Sequence, residues 1–288
     1  MRDIRRRLKS VKSTAQITKA MQMVAAAKMR HAQQLALQNR PYTIALHNML
    51  TSVVSKLGTA LCQNNDLCVS RPIQKEAVIL ITTDKGLCGS LNANLFKEVM
   101  KLPSQTAVIA AGKKGAQFAH RTKKELLAEF SFHDTPKFAE ARAITKLATG
   151  LFLEKKVDKV SVICPAFKNT MSQHPITVPL LPVSNLESII SDEFCIDSKK
   201  LESLDMLFEP SENELFNALL PHYLNNKLYH CLLETKASEF SARMVSMKGA
   251  TDNANSLTKE LTVHYNKLRQ TGITNQLLEI ASAKASLS

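Results

Sequence analysis

Hydrophobic positions at both ends of this 288-residue chain repeat at alternating spacings of four and three. Leu233, Phe240, Met247, Ala254, Leu261 and Leu268 lie seven apart, and Ala237, Met244, Thr251, Thr258 and Tyr265 fall four residues after successive members. That alternation is the seam of a coiled coil. Ser211 with Glu214 three residues on is a capping-box pattern, and no proline follows Pro221. The pattern predicts one helix from Ser211 to about Ser286, roughly 110 Å long at 1.5 Å per residue. A compact domain needs no such rod, so the helix has to pack against something of similar length.

The N-terminal segment supplies a partner. Ile4, Val11, Thr18, Ala25 and Ala32 lie seven apart, with Leu8, Ala15, Gln22, Met29 and Ala36 interleaved, which predicts a helix from residue 3 to about 57. The middle of this seam is alanine, so a facing helix can come close. Pro41 should kink the helix or mark a join. A second stripe, Ile17, Met21, Val24 and Lys28, lies off the seam and offers a further contact face. The two seams predict an antiparallel coiled coil with everything between them as an insertion. The C-terminal helix is longer by about twenty residues, so one end projects alone or lies against other chains.

The insertion alternates strand and helix. After a turn-rich link, Gly58 to Pro72, residues 76–84 read as a buried strand, followed by the loop KGLCGSLN and a helix from Asn92 to Met100. Thr106 to Ala111 is a second strand ending in Gly112-Lys-Lys-Gly115, with a helix then expected to about Phe130. A helix over Lys137–Glu154, a strand over Val157–Cys164 ended by Pro165, and a fourth strand over Ile176–Leu181 complete the series. Such alternation implies a small open sheet of mainly parallel strands with helices on its faces. Residues 184–209 read as an irregular connection. The class is α/β, in three parts: an N-terminal coiled-coil helix (1–57), an inserted α/β domain with linkers (58–209) and a C-terminal coiled-coil helix (210–288).

Composition narrows this picture. Trp is absent and aromatics are 5%, so small and aliphatic side chains do the packing. The longest apolar runs, such as Ala77 to Ile81, are about a quarter of a membrane span. The opening MRDIRRRLKS lacks the apolar run and cleavage site of a signal peptide. Six cysteines without a CxxC pair read as reduced, mostly buried thiols, and eight histidines without HExxH suggest no metal centre. The net charge of +13 is concentrated: residues 1–57 carry 11 Lys/Arg against the single acid Asp3, while 58–209 carry 19 against 17 and 210–288 carry 8 against 7. An acidic partner should therefore meet the N-terminal helix. Arg2, Arg5, Arg6 and Arg7 crowd a helix start, where the dipole disfavours each cation by about 0.3–1 kcal/mol, so a partner explains them better than helix stability does. Nucleic acid is a poor fit, because the charges thin out after Arg30 and no aromatics interleave with them.

Candidate chemistry is sparse. Neither Asp84-KGLCGSLN nor Gly112-KKG matches GxxxxGK[ST] or GxGxxG, and strand-to-helix turns need glycine for backbone reasons alone. No nucleotide or other cofactor is expected. Asp84 stands at the carboxyl end of a strand, where α/β enzymes place catalytic acids, but a loop-capping role fits it better. Met21, Met23 and Met29 could make a pliable binding surface, although methionine at helical spacing is more often core.

Several long motifs carry a family resemblance. RDIRRRLKSVKSTAQITKAMQMVAAAKMRHAQ resembles the opening helix of the gamma subunit of F-type ATP synthases, and the likeness continues through ILITTDKGLCGSLN, NTMSQHP, FEPSENELFNALLPHYL, KASEFSARMVSMKGATDNA and YNKLRQTGITNQLLEIA. It spans essentially the whole chain in order. The resemblance implies a long antiparallel coiled coil bearing a Rossmann-like α/β domain. It further implies a non-catalytic rotor shaft in a proton-translocating complex, standing inside a ring of three alpha and three beta subunits. The α/β domain and lower rod would rest beside the epsilon subunit on a membrane c-type ring. The expected location is peripheral, on the cytoplasmic face of a bacterial inner membrane, which the lack of a presequence fits.

Residue by residue, the resemblance places Met21 against a beta-subunit segment and puts Arg269, Gln270 and Thr274 at positions that hydrogen-bond a beta-subunit loop. Glu209 falls at an acid of the foot, towards the ring and epsilon. Gln276, Ala283-Lys284 and Ser90 depart from the family's usual acid, Gly-Ala pair and second glycine. Two other classes compete with the shaft: an α/β enzyme with a helical dimerisation arm, and a basic coiled-coil binder of nucleic acid.

Overall fold

The computed structural model describes residues 2–57, 65–183, 209 and 211–287. Residues 58–64 of the expected link Gly58–Pro72 and residues 184–208 of the expected connection 184–209 lie outside the described residues. The chain forms two compact units, residues 1–26 with 243–288, and residues 27–242.

The first unit pairs the start of helix α1 (Arg2–Leu57) with the far part of helix α5 (Glu212–Leu287). Burial follows the seam. Ala15, Ala25, Met247, Thr251 and Ala254 are buried, and Ile4, Leu8, Val11, Thr18, Gln22, Thr258, Leu261, Tyr265 and Leu268 are half-buried. Every residue between seam positions is exposed from Ile4 to Ala25 and from Thr251 to Leu268. Thr18 Oγ1 and Thr251 Oγ1 meet across the seam at 2.8 Å. Each hydroxyl also reaches a carbonyl of its own helix, Thr18 that of Ala15 at 3.1 Å and Thr251 that of Met247 at 2.8 Å, so either one can donate across the seam. From Ile273 to Ser282 every residue is exposed; the matching positions on α1 have ended at Ile4.

The second unit holds a five-stranded sheet: β1 (Glu76–Ile81), β2 (Ala107–Ala111), β3 (Leu126–Phe130), β4 (Lys159–Phe167) and β5 (Gln173–Leu181), in the order β3-β2-β1-β4-β5. β1 pairs in parallel with β2 and β4, β2 with β3, and only the β4–β5 pair is antiparallel. Central β1 is fully buried from Ala77 to Ile81, which is why it reads as a continuous apolar run rather than an alternating one. Helices α2 (Leu91–Lys101) and α3 (Lys113–Arg121) cover the face bearing Val78, Leu80, Val108 and Ile163, with Phe96 stacked on Phe118 at 4.2 Å. The opposite face, bearing Ala77, Ile79, Ile81, Val160 and Val162, packs on α4 (Phe138–Leu153) and on parts of α1 and α5, through residues such as Leu50, Phe152, Phe216 and Leu232.

Within this unit α1 and α5 run antiparallel: Lys28 lies over the Phe240 ring, and further along α1 Thr43 accepts a hydrogen bond from Asn226. Ser211 caps α5, its Oγ accepting the Glu214 N–H at 3.3 Å, as the capping pattern predicts.

Three local expectations need correction. Pro41 is not a join, because α1 runs unbroken through it. The helix expected to reach Phe130 ends at Arg121, and Leu126–Phe130 forms edge strand β3. The break falls at Lys123, which adopts the left-handed conformation (φ 54°) without a glycine to advertise it. Leu126, Leu127 and Ala128 favour helix intrinsically, and pairing with β2 overrides that preference. Nor does Pro165 end β4. Pairing with β1 stops at Ile163, and Pro165 faces Pro175 across β5, where neither needs to donate to the ladder.

Phe152 is fully buried under the sheet and beneath the Arg71 guanidinium. Phe152→Ala should destabilise the chain by about 3–5 kcal/mol, read as a lower urea midpoint with an unchanged slope.

Candidate partner-binding surface

The glycine-rich turns are built for backbone packing. Gly112 has φ 111°, and a Cβ there would lie 2.3 Å from the Thr82 carbonyl oxygen. The first amides of α3 are already bonded: Lys113 N–H to Asp84 Oδ1 at 2.9 Å, Lys114 N–H to the Thr83 carbonyl at 3.2 Å and Gly115 N–H to Thr82 Oγ1 at 2.8 Å. A helix start binds phosphate through free amides, and these are occupied. Asp84 is thus a capping residue, as the sequence favoured.

The four described cysteines, Cys68, Cys88, Cys164 and Cys231, are buried and form no disulfide with one another; Cys62 and Cys195 lie outside the described residues. A hydrogen bond with Cys231 and burial together raise the Cys164 thiol well above its ordinary range, so it is a poor nucleophile at neutral pH. Among the described residues no group of three or more His, Cys, Asp or Glu side chains could hold a metal ion.

The surface of the first unit is different. Ile17, Met21 and Val24 form an exposed apolar stripe off the seam, 55%, 42% and 57% accessible, with Met23 exposed beside it. Of the methionines that could have been core, only Met29 is buried. Lys28, the fourth member of the stripe, is held by Asp134 within the second unit. Arg2, Arg5, Arg6, Lys9 and Lys12 line one concave basic surface near the start of α1. On α5, Arg269, Gln270 and Thr274 are all exposed, and among the described residues Arg269 has no ion-pair partner. Thr274 Oγ1 donates to the Gln270 carbonyl at 3.0 Å, which leaves its oxygen free to accept.

Arg269 lies eighteen residues beyond Thr251, roughly 27 Å along the helix from the level of Thr18. Met21 and the Arg269 group are therefore two separate exposed positions on one unit. Glu209 is exposed and belongs to the other unit.

Sequence reading missed one feature. Ile273, Leu277 and Ile280 form an exposed apolar stripe, joined by Leu278, on the unshielded end of α5. Its signal was the spacing of four and three displaced from the seam.

If Asp84 caps α3, Asp84→Ala should lower stability by about 0.5–2 kcal/mol in chemical denaturation.

The ATP synthase family model (ATP-synt) matches residues 1–287. A protein named ATP synthase gamma chain from Opitutus terrae is 46% identical, the alignment covering 98% of this chain and 97% of the relative. The fold resembles a chain of the Tetrahymena thermophila mitochondrial ATP synthase central stalk and c-ring structure, with TM-score 0.60 and 25% identity over 82% of this chain and 99% of that one. It also resembles a chain of the Euglena gracilis mitochondrial ATP synthase OSCP/F1/c-ring structure, with TM-score 0.70 and 19% identity over 99% of this chain and 94% of that one. A whole-chain family match and a relative this similar over nearly its full length place the chain in the ATP synthase gamma-chain family.

Proposed function

We propose that this chain is the central rotor shaft of an F-type ATP synthase. It couples rotation of a membrane ring to ATP synthesis or hydrolysis in an alpha/beta head and performs no nucleotide chemistry itself. Beyond family membership, one observation carries the reading: the paired helices of the first unit bury only a narrow seam and leave apolar and basic stripes exposed for other chains. An asymmetric rod facing three equivalent subunits touches each differently and so biases their conformations differently.

Met21 and the group Arg269, Gln270 and Thr274 are the proposed beta-subunit contacts, with Ile273, Leu277 and Ile280 as an apolar bearing surface at the same end. Arg269 suits a bidentate pair with a carboxylate. Glu209 is assigned to the foot, facing the ring and epsilon. Residues 1–57 and 210–288 form the shaft and 58–209 the domain at its foot, with three alpha and three beta subunits around one copy.

No helix among the described residues is long and apolar enough to cross a membrane. The chain is a peripheral part of a membrane-bound complex. Its proposed place is the cytoplasmic face of a bacterial inner membrane.

The tagged chain should bring down alpha and beta subunits with ATPase activity, and its failure to do so would overturn the assignment. Arg269→Ala should lower assembly or turnover, while the isolated chain keeps its circular dichroism and melting temperature. An unfolded variant would instead give Arg269 a structural role.

A further inference from the structure

Asp134 sits in the loop between β3 and α4 and binds both long helices within the second unit. Its Oδ2 accepts a hydrogen bond from Lys28 of α1, and its Oδ1 lies 3.7 Å from Lys236 Nζ of α5. Lys236 is 2% exposed. It also contacts Glu239 Oε2 at 3.1 Å and lies 4.5 Å over the ring of buried Phe132, from the same loop as Asp134. The loop itself is braced: Glu140 accepts the His133 N–H at 3.2 Å and the Lys137 N–H at 2.8 Å and pairs with the His133 ring. The Lys28 hydrogen bond holds the Asp134 carboxyl below its ordinary range, so it is ionised at neutral pH.

With side chains 45% and 52% exposed, the Lys28–Asp134 pair adds little to stability, although Lys236 is buried. The best-attested use of buried charge is to fix register. Lys236 and Glu239 lie on one helix and already satisfy each other, so folding α5 does not require Asp134. What Asp134 adds is direction. The apolar core already joins the sheet to both helices, and the Asp134 carboxylate, shared between cations on the two helices, adds a directional tie from the loop to each.

We propose that Asp134 is a positioning residue that locks the α/β layer at one angle about the α1–α5 pair, so that torque delivered to that layer reaches the helices without slip. The proposal rests on the shaft reading. The test uses the assembled, membrane-bound complex carrying Asp134→Ala or Asp134→Glu.

In the Asp134→Ala complex, ion pumping per ATP hydrolysed should fall by about twofold or more while hydrolysis persists. Asp134→Glu, which keeps the carboxylate for both lysines, should retain the ratio. An unchanged ratio in Asp134→Ala would overturn the proposal. So would a parallel loss of pumping and hydrolysis, failure of that variant to assemble, or loss of the ratio in Asp134→Glu. A complex that never forms with the unaltered chain would count against the shaft reading instead.

Discussion

A thin seam of small side chains, Ala15, Ala25, Thr18, Thr251 and Ala254, joins two helix segments from opposite ends of the polypeptide, and the rest of the molecule depends on it. Alanine and threonine let helix axes approach closely but bury little area per residue, so the pair gains its stability by length. The Thr18–Thr251 hydroxyl contact adds direction to a seam that is otherwise nearly featureless. Because the seam is narrow, most of each helix surface remains available to others. That suits a shaft, whose outward contacts must be made and broken repeatedly without disturbing its own packing. Exposed basic contacts of the Arg2–Lys12 kind weaken with salt, as remade contacts should.

The second unit uses the same two helices differently. There α1 and α5 act as one cover layer of a sheet, buried through large side chains such as Leu50, Phe216 and Leu232. The strand-to-helix turn that resembles a nucleotide loop is closed by its own chain: Asp84 and Thr82 occupy the amides of α3, and Gly112 allows the Thr82 backbone to approach. The first amides of α3 are thus taken up by the chain itself.

Legibility in the sequence tracked the strength of periodicity. Both seams were readable because one burial rule repeats over many turns, and Ser211 with Glu214 marked the start of α5. β1 was readable as a buried apolar run. β3 was not, since its leucines and alanine favour helix and the preceding turn uses Lys123 rather than glycine. Pro165 misled because the rule against proline in strands applies only where an N–H must be donated. Met21 was legible as a member of the off-seam stripe, but its beta-subunit partner, and Arg269, Gln270 and Thr274 altogether, came from family likeness alone. Asp134 was unreadable altogether, because its partners lie 106 and 102 positions away along the chain.

The direct measurement is a cross-link between the two ends. With cysteines at positions 18 and 251 and the other cysteines replaced, mild oxidation of the assembled complex should join the helices within one chain. ATP hydrolysis should continue, because both helices turn together. No intramolecular product, or a link only between different chains, would mean that the ends do not lie side by side and that no shaft of this kind exists.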